Sequence, residues 1–265
     1  MIQDPPLAAA VHALFEWLGM AAGATLWRRS VRKTQSDNGS HGLLAPGRFA
    51  VLLGLLIGAG LGNKLVFLIE RPDIAMRIWQ GEPLWPGQSM VGGLLGGWLG
   101  VELAKWFSGQ TRSTGDAMVT PLLWGLGIGR IGCLLAGLHD DTYGLPTTVP
   151  WGLDLGDGRP RHPSAIYEML FLAAWGGLRR MAAPRWPARA PEGLHFKLFA
   201  SGYLLWRLLG DALKPVRIAY PGGLSGIQWV CLVGLAISGW ALWRTCHSAI
   251  GQSDVPPSSE QVQNS

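Results

Sequence analysis

A chain of 265 residues that is 48% hydrophobic and 15% charged falls well short of the roughly 25% charged residues of a soluble domain. No polar stretch in it is long enough to build a second core. A net charge of +5 and a pI near 9.4 do not point to nucleic acid, because the basic residues sit between apolar runs, where they serve lipid contact and topology. Cys133, Cys231 and Cys246 have neither disulfide nor metal spacing, so no disulfide framework, metal or cofactor is expected.

The first apolar run, 7–27, precedes the basic cluster Arg28, Arg29, Arg32 and Lys33. A cleaved signal peptide would carry its basic residues before the run, so a retained helix with its N-terminus outside is expected, followed by a polar cytoplasmic loop over 30–47. The second run, 48–69, has the length that a bilayer core demands. Its Gly54, Gly58 and Gly62 lie four apart and offer one face for close helix packing. The loop 70–89, with Trp79, Trp85 and several prolines, suits a membrane interface.

A third run spans 90–107 and a fourth 117–138, the latter containing Arg130. The polar loop 139–163 holds His139, Asp140, Asp141, Asp154, Asp157, Arg161 and His162. Further runs cover 164–178, 196–213 and 225–243, and the tail 245–265 is polar and expected to be disordered and cytoplasmic.

The pattern predicts an all-α integral membrane protein of about seven transmembrane helices, residues 1–244 forming one polytopic domain. Its N-terminus would lie outside and its C-terminus in the cytoplasm. Basic loops 28–48 and 179–197 and the Arg244 end then fall inside and the acidic stretches outside, as the positive-inside rule asks.

Charge inside a span is costly and marks a site by default. Arg130 lies toward the outer end of the fourth run. Arg207 and Asp211 lie in the outer half of the sixth, four apart and so on one helical face. They form either a self-neutralised pair or part of a site. Tyr167 and Glu168 open the fifth run, with Arg161 and His162 just before it. Cations, carboxylates and imidazoles thus share the outer depth, and a pocket of that kind fits a phospholipid phosphate. Arg130 has no carboxylate at helical spacing and needs a partner from elsewhere. His12 and His195 read as interfacial, Lys64 as snorkelling to the surface, Glu102 as surface-reaching or paired with Lys105, and Cys133 as a small packing residue.

Several motifs resemble the prolipoprotein diacylglyceryl transferase family. They are Gly129-Arg130-Ile131-Gly132, Gly137, Tyr143-Gly144 and above all Arg161-His162-Pro163-Ser164-Ala165-Ile166-Tyr167-Glu168. Ser89 with the glycine run 92–96, the block Tyr203, Arg207 and Asp211, and Ser225-Gly226-Ile227-Gln228 extend the match in order from about residue 50 to 235.

The resemblance implies transfer of diacylglyceryl from phosphatidylglycerol to the lipobox cysteine of a prolipoprotein signal peptide at the outer leaflet of the bacterial inner membrane. Glycerol phosphate would be released. It also implies that Arg130 and Arg207 hold the lipid phosphate, with Arg161, Tyr167, Glu168, Asp211 and Gly144 around the phospholipid.

The chain departs from the family pattern where the family histidine of span three is Val91, where its asparagine is Cys133, where an acidic residue is Leu138, and where a glutamate is Asp211. Either His139, Asp140, Asp141 or His162 then handles the proton, His139 and His162 being the leading candidates, or the acceptor is not a lipobox thiol. A non-catalytic phospholipid-binding or transport protein using the same pocket is the reading from a different class.

Overall fold

The structure is a computed structural model that describes residues 1–36, 46–84, 87–111, 113–140, 142–185, 190–216 and 218–253. Trp85, Asp141, Arg189, residues 37–45 of the loop 30–47 and residues 254–265 of the tail lie outside them. A long helix occupies each of the expected apolar runs: α1 (Pro5–Ser36), α2 (Pro46–Glu70), α4 (Met90–Ser108), α5 (Val119–Ala136), α6 (Ser164–Ala182), α7 (Leu194–Gly210) and α8 (Gly226–Ser253). The expected interfacial segment contains the short helix α3 (Pro72–Trp79). Helix α8 continues beyond the expected end of the last run, through the first residues of the expected disordered tail to Ser253.

Among the described residues, four helical stretches, Pro5–Ser30, Phe49–Glu70, Gly115–His139 and Gly226–His247, are long and apolar enough to cross a membrane. Helices α4, α6 and α7, of 19, 19 and 17 residues, are shorter. Large apolar side chains stand exposed along the helices, among them Leu56, Leu61, Leu65, Leu99, Trp106, Phe107 and Trp240. A water-facing surface does not carry apolar area on that scale, and these side chains meet lipid. The chain is a helical membrane protein.

It is not purely helical. The expected polar loop before α6 is a folded cap, in which β1 (Leu153–Asp154) pairs antiparallel with β2 (Pro160–Arg161). The Asp154 carboxylate accepts from the backbone N–H groups of Gly156, Asp157 and Gly158 at 2.8, 3.1 and 3.0 Å and sets the turn between them.

Lipid is as apolar as leucine, so helices in a membrane gain little by hiding apolar faces from it and associate instead through close fit. The main packings show it. Helices α2 and α4 run antiparallel with Gly54 against Gly100, Gly58 against Gly96 and Gly62 against Gly92. A methyl group on any of these six would collide with the facing backbone carbonyl. Helix α1 packs on α5 in the same manner, Gly19 facing Gly125 and Gly132 facing Phe15 and His12. Gly125 and Gly132 of the run containing Arg130 are therefore contact points for α1.

Gly58→Ala is expected to destabilise the protein by about 1–3 kcal/mol through overpacking. Gly60→Ala, whose added methyl meets open space, is expected to be neutral or to stabilise by up to about 1 kcal/mol. Denaturant unfolding in detergent checks both, and equal effects would refute the close-packing account.

Candidate active site

Helices α5 and α7 run in one direction and α6 in the other, so residues late in α5 and α7 meet residues early in α6 at one end of the bundle. Arg130, Arg207 and Glu168 meet there. Arg130 Nη2 lies 2.9 Å from Glu168 Oε2, and Arg207 Nη1 lies 3.0 Å from the same oxygen. The Tyr203 hydroxyl donates to Glu168 Oε1 at 2.7 Å. Side-chain burial is almost complete, with Arg130, Glu168, Arg207 and Tyr203 only 2%, 2%, 4% and 0% exposed.

Two guanidiniums on one carboxylate leave a positive charge in excess around the shared oxygen. Among the described residues, Nε of Arg130 and Nε of Arg207 are buried donors with no hydrogen-bond partner. An unsatisfied buried donor costs about 1–3 kcal/mol, and more when charged. A buried, positively charged centre with spare N–H groups is able to accept an oxyanion.

The remaining nitrogen of Arg130 faces the other way. Nη1 donates to Thr142 Oγ1 at 3.1 Å and to Cys133 Sγ at 3.3 Å, and the Thr142 hydroxyl donates in turn to Asp140 Oδ2. Thr142 reaches Arg130 because α5 stops at Gly137, whose φ of 60° is left-handed and open to glycine at no steric cost. Gly144 then lies so close to the His162 carbonyl that any side chain would collide with it. That approach lets the His162 N–H donate to the Leu145 carbonyl at 3.0 Å.

Arg207 and Asp211 do not form the pair that their spacing allows. Asp211 instead accepts from the Ser225 hydroxyl and ties the end of α7 to the start of α8. Ser225 and Gln228 make a reciprocal capping box, Gln228 N–H to Ser225 Oγ at 3.1 Å and Ser225 N–H to Gln228 Oε1 at 2.9 Å.

The other expected residues form an outer layer. Arg161 pairs with Asp157 at 2.6 Å, donates to the Gly144 carbonyl at 3.2 Å and lies 5.2 Å from the Tyr143 ring centroid. Its guanidinium holds the Asp157 carboxyl below the usual range. Tyr167 accepts from Trp151 Nε1 at 2.7 Å and stands 3.2 Å from His162 Nδ1. Trp151, Leu153, Ile166, Tyr167 and Leu170 line an apolar groove of about 670 Å³. His139 is exposed and meets the Gln3 carbonyl at 3.3 Å. The structure thus unites Arg130, Arg207 and Glu168, and leaves His139 and His162 outside their contacts.

Four residues outside the expected set belong to the centre. Tyr203 lies one helical turn before Arg207, a spacing that could have revealed it. Thr142 and Lys214 had no such signal. Lys214 is half-buried just beyond Leu213, and burial, then the guanidiniums of Arg207 and Arg130, press its ammonium down to about 7. His12, expected at the interface, lies with Nε2 3.5 Å from Cys133 Sγ. Val91 is completely buried against Leu204, Ile227 and Cys231. The wall there is apolar.

The family described as prolipoprotein diacylglyceryl transferase matches residues 1–244. A phosphatidylglycerol–prolipoprotein diacylglyceryl transferase of Nitrosomonas europaea is 30% identical over 89% of this chain and 87% of its own. Proteins of the same name from two strains of Nitratidesulfovibrio vulgaris are 32% identical over 85% of this chain and 83% of theirs, and 31% identical over 93% and 96%. The chain belongs to the prolipoprotein diacylglyceryl transferase family.

Glu168→Gln strips both guanidiniums of their counter-ion and is expected to lower stability by about 3–5 kcal/mol. Tyr203→Phe removes a single hydrogen bond to that carboxylate and should cost about 1–3 kcal/mol; denaturant unfolding of both variants gives the comparison. With its folded pKa below the ordinary 10.5, Lys214 takes up a proton on unfolding in the intervening window. Stability should therefore rise with pH from about 7 to about 10.5. Lys214→Met should flatten that rise in a pH series of unfolding curves.

Proposed function

We propose that this protein transfers the diacylglyceryl group of phosphatidylglycerol to the cysteine thiol of a prolipoprotein signal peptide, releasing glycerol phosphate. On this reading it crosses the bacterial inner membrane seven times as a single domain, with its N-terminus outside and the site open to the outer leaflet. The observation that carries the proposal is the buried pair Arg130 and Arg207, sharing one carboxylate and each retaining an unpaired Nε donor. The names of the relatives supply the substrates.

The reaction is a displacement at an sp³ carbon. A thiolate sulfur attacks the glyceryl carbon, the carbon–oxygen bond to phosphate breaks, and the phosphodiester becomes a phosphate monoester with one more negative charge. Arg130 and Arg207 would meet that growing charge with N–H donors already in place, so little reorganisation is needed as it forms. Arginine suits this task better than lysine because its planar fork can grip two phosphate oxygens at once. Glu168 and Tyr203 act as positioning residues, fixing the two forks from the side opposite the lipid. The groove beside Trp151, Tyr167 and Leu170 gives apolar surface to an acyl chain or a signal peptide.

A different acceptor is favoured by one observation, the burial of Val91 in an apolar cluster where the family pattern has a histidine. An unchanged small-molecule and lipid profile in cells lacking the protein, together with missing diacylglyceryl lipoproteins, refutes that second reading.

Purified protein given phosphatidylglycerol and a lipobox peptide is expected to release glycerol phosphate, measured by enzymatic assay. Arg207→Gln should cut the rate by about 10²–10³-fold, the usual effect of losing one charge-stabilising donor. Arg130→Lys should also lose most activity while keeping the charge. No release, beside an active relative under the same conditions, refutes the proposed activity.

A further inference from the structure

On the Nη1 side of Arg130, three residues from distant parts of the chain converge. His12 comes from α1, Cys133 from α5 and Asp140 from the turn after α5. His12 Nε2, Cys133 Sγ and a carboxylate oxygen of Asp140 all lie within 4.8 Å of one another, and Sγ and Nε2 are 3.5 Å apart. Zinc bonds of about 2.3 Å to sulfur and about 2.0 Å to nitrogen at a tetrahedral angle place those two atoms about 3.6 Å apart. The imidazole and the thiol already stand at that spacing.

The surroundings suit an ion as well. Cys133 and Asp140 are buried and His12 is half-buried. Each anionic ligand atom has an outer partner, Arg130 Nη1 donating to Cys133 Sγ at 3.3 Å and the Thr142 hydroxyl to Asp140. Such partners hold metal ligands in orientation. The donor set of one thiolate, one imidazole and one carboxylate selects zinc-class ions. With three protein ligands, the fourth position stays open, as in catalytic zinc sites.

We propose that His12, Cys133 and Asp140 bind one zinc-class ion beside the arginine pair, and that its open position takes the acceptor's thiol. The thiol role rests on the transferase reading above; the metal site itself does not. A free thiol has a pKa of about 8.5, and Val91 offers no base where the family pattern has one. A bound dication supplies the missing activation. The acceptor thiol coordinates, its proton passes to solvent water, and the thiolate sulfur forms a bond to the glyceryl carbon. The carbon–oxygen bond breaks with its electron pair going to oxygen, and glycerol phosphate leaves as the dianion against Arg130 and Arg207. The thioether product has lost its charge and binds the metal weakly, which frees it.

The full chain, purified in detergent without chelator, is expected to hold zinc at a ratio near one per chain by elemental analysis. Metal-free protein titrated with cobalt(II) should develop the near-ultraviolet thiolate-to-cobalt band, and Cys133→Ser should abolish it. Thr142→Ala keeps all three ligands and should weaken metal affinity by about 10–100-fold, which guards against variants that simply fail to fold. Failure of the wild-type chain to bind zinc or cobalt, or cobalt binding without the thiolate band, overturns the site. Glycerol phosphate release that survives chelation overturns the metal's role and leaves the transferase reading standing. A metal-loaded chain that releases none beside an active relative sinks the transferase reading and leaves the site. Release lost on chelation and restored by zinc supports both.

Discussion

The Glu168 carboxylate, caught between Arg130 and Arg207 and held by Tyr203, is the interaction on which the rest of the structure depends. A charge cannot stay unpaired in a membrane protein's interior without heavy cost, so a buried guanidinium forces its helix to sit where a counter-charge can reach it. One carboxylate serving two arginines fixes α5, α6 and α7 relative to one another at that end of the bundle. The arrangement is not fully satisfied, as the orphaned Nε atoms record. A purely structural network would have closed on itself. This one keeps two donors unpaired, and on the proposed reading they serve an anionic headgroup.

Glycine supplies the other constraint. The facing series on α2 and α4, and the contacts of α1 with Gly125 and Gly132, bring backbones together at distances that no side chain permits. These contacts are also what place His12 against Cys133, because Gly132 leaves room for α1 exactly one residue from the thiol. Close packing in the bundle and the meeting of His12 with Cys133 are thus consequences of the same small residues.

Above the arginine centre sits a layer with a different character. The hairpin, the Arg161–Asp157 pair and the Trp151–Tyr167–His162 cluster form a cap held by hydrogen bonds. Arg161, Tyr167 and His162 make their side-chain contacts within the cap rather than with Glu168. The most specific stretch of the family resemblance, 161–168, therefore joins two structural tasks: its first residues build the cap and its last supplies the central carboxylate.

Much of this was legible in the chain alone. Composition and run length determined a helical membrane protein, and each expected run holds a helix, because the demand for internal backbone hydrogen bonding in lipid leaves little choice. The glycine face of α2 followed from helical periodicity, and the expected clustering of Arg130 and Arg207 is met at one end of the bundle. Periodicity, however, reports only neighbours on the same helix. It allowed Arg207 to pair with Asp211, and it left Arg130 without a partner, His12 at an interface and Cys133 with no base nearby. Tertiary structure decided otherwise: Glu168 serves both arginines, Asp211 secures Ser225, and α1 delivers an imidazole to the thiol. Which side chains meet across helices depends on chain direction and on how closely backbones approach, and neither is written in the spacing of residues along one helix.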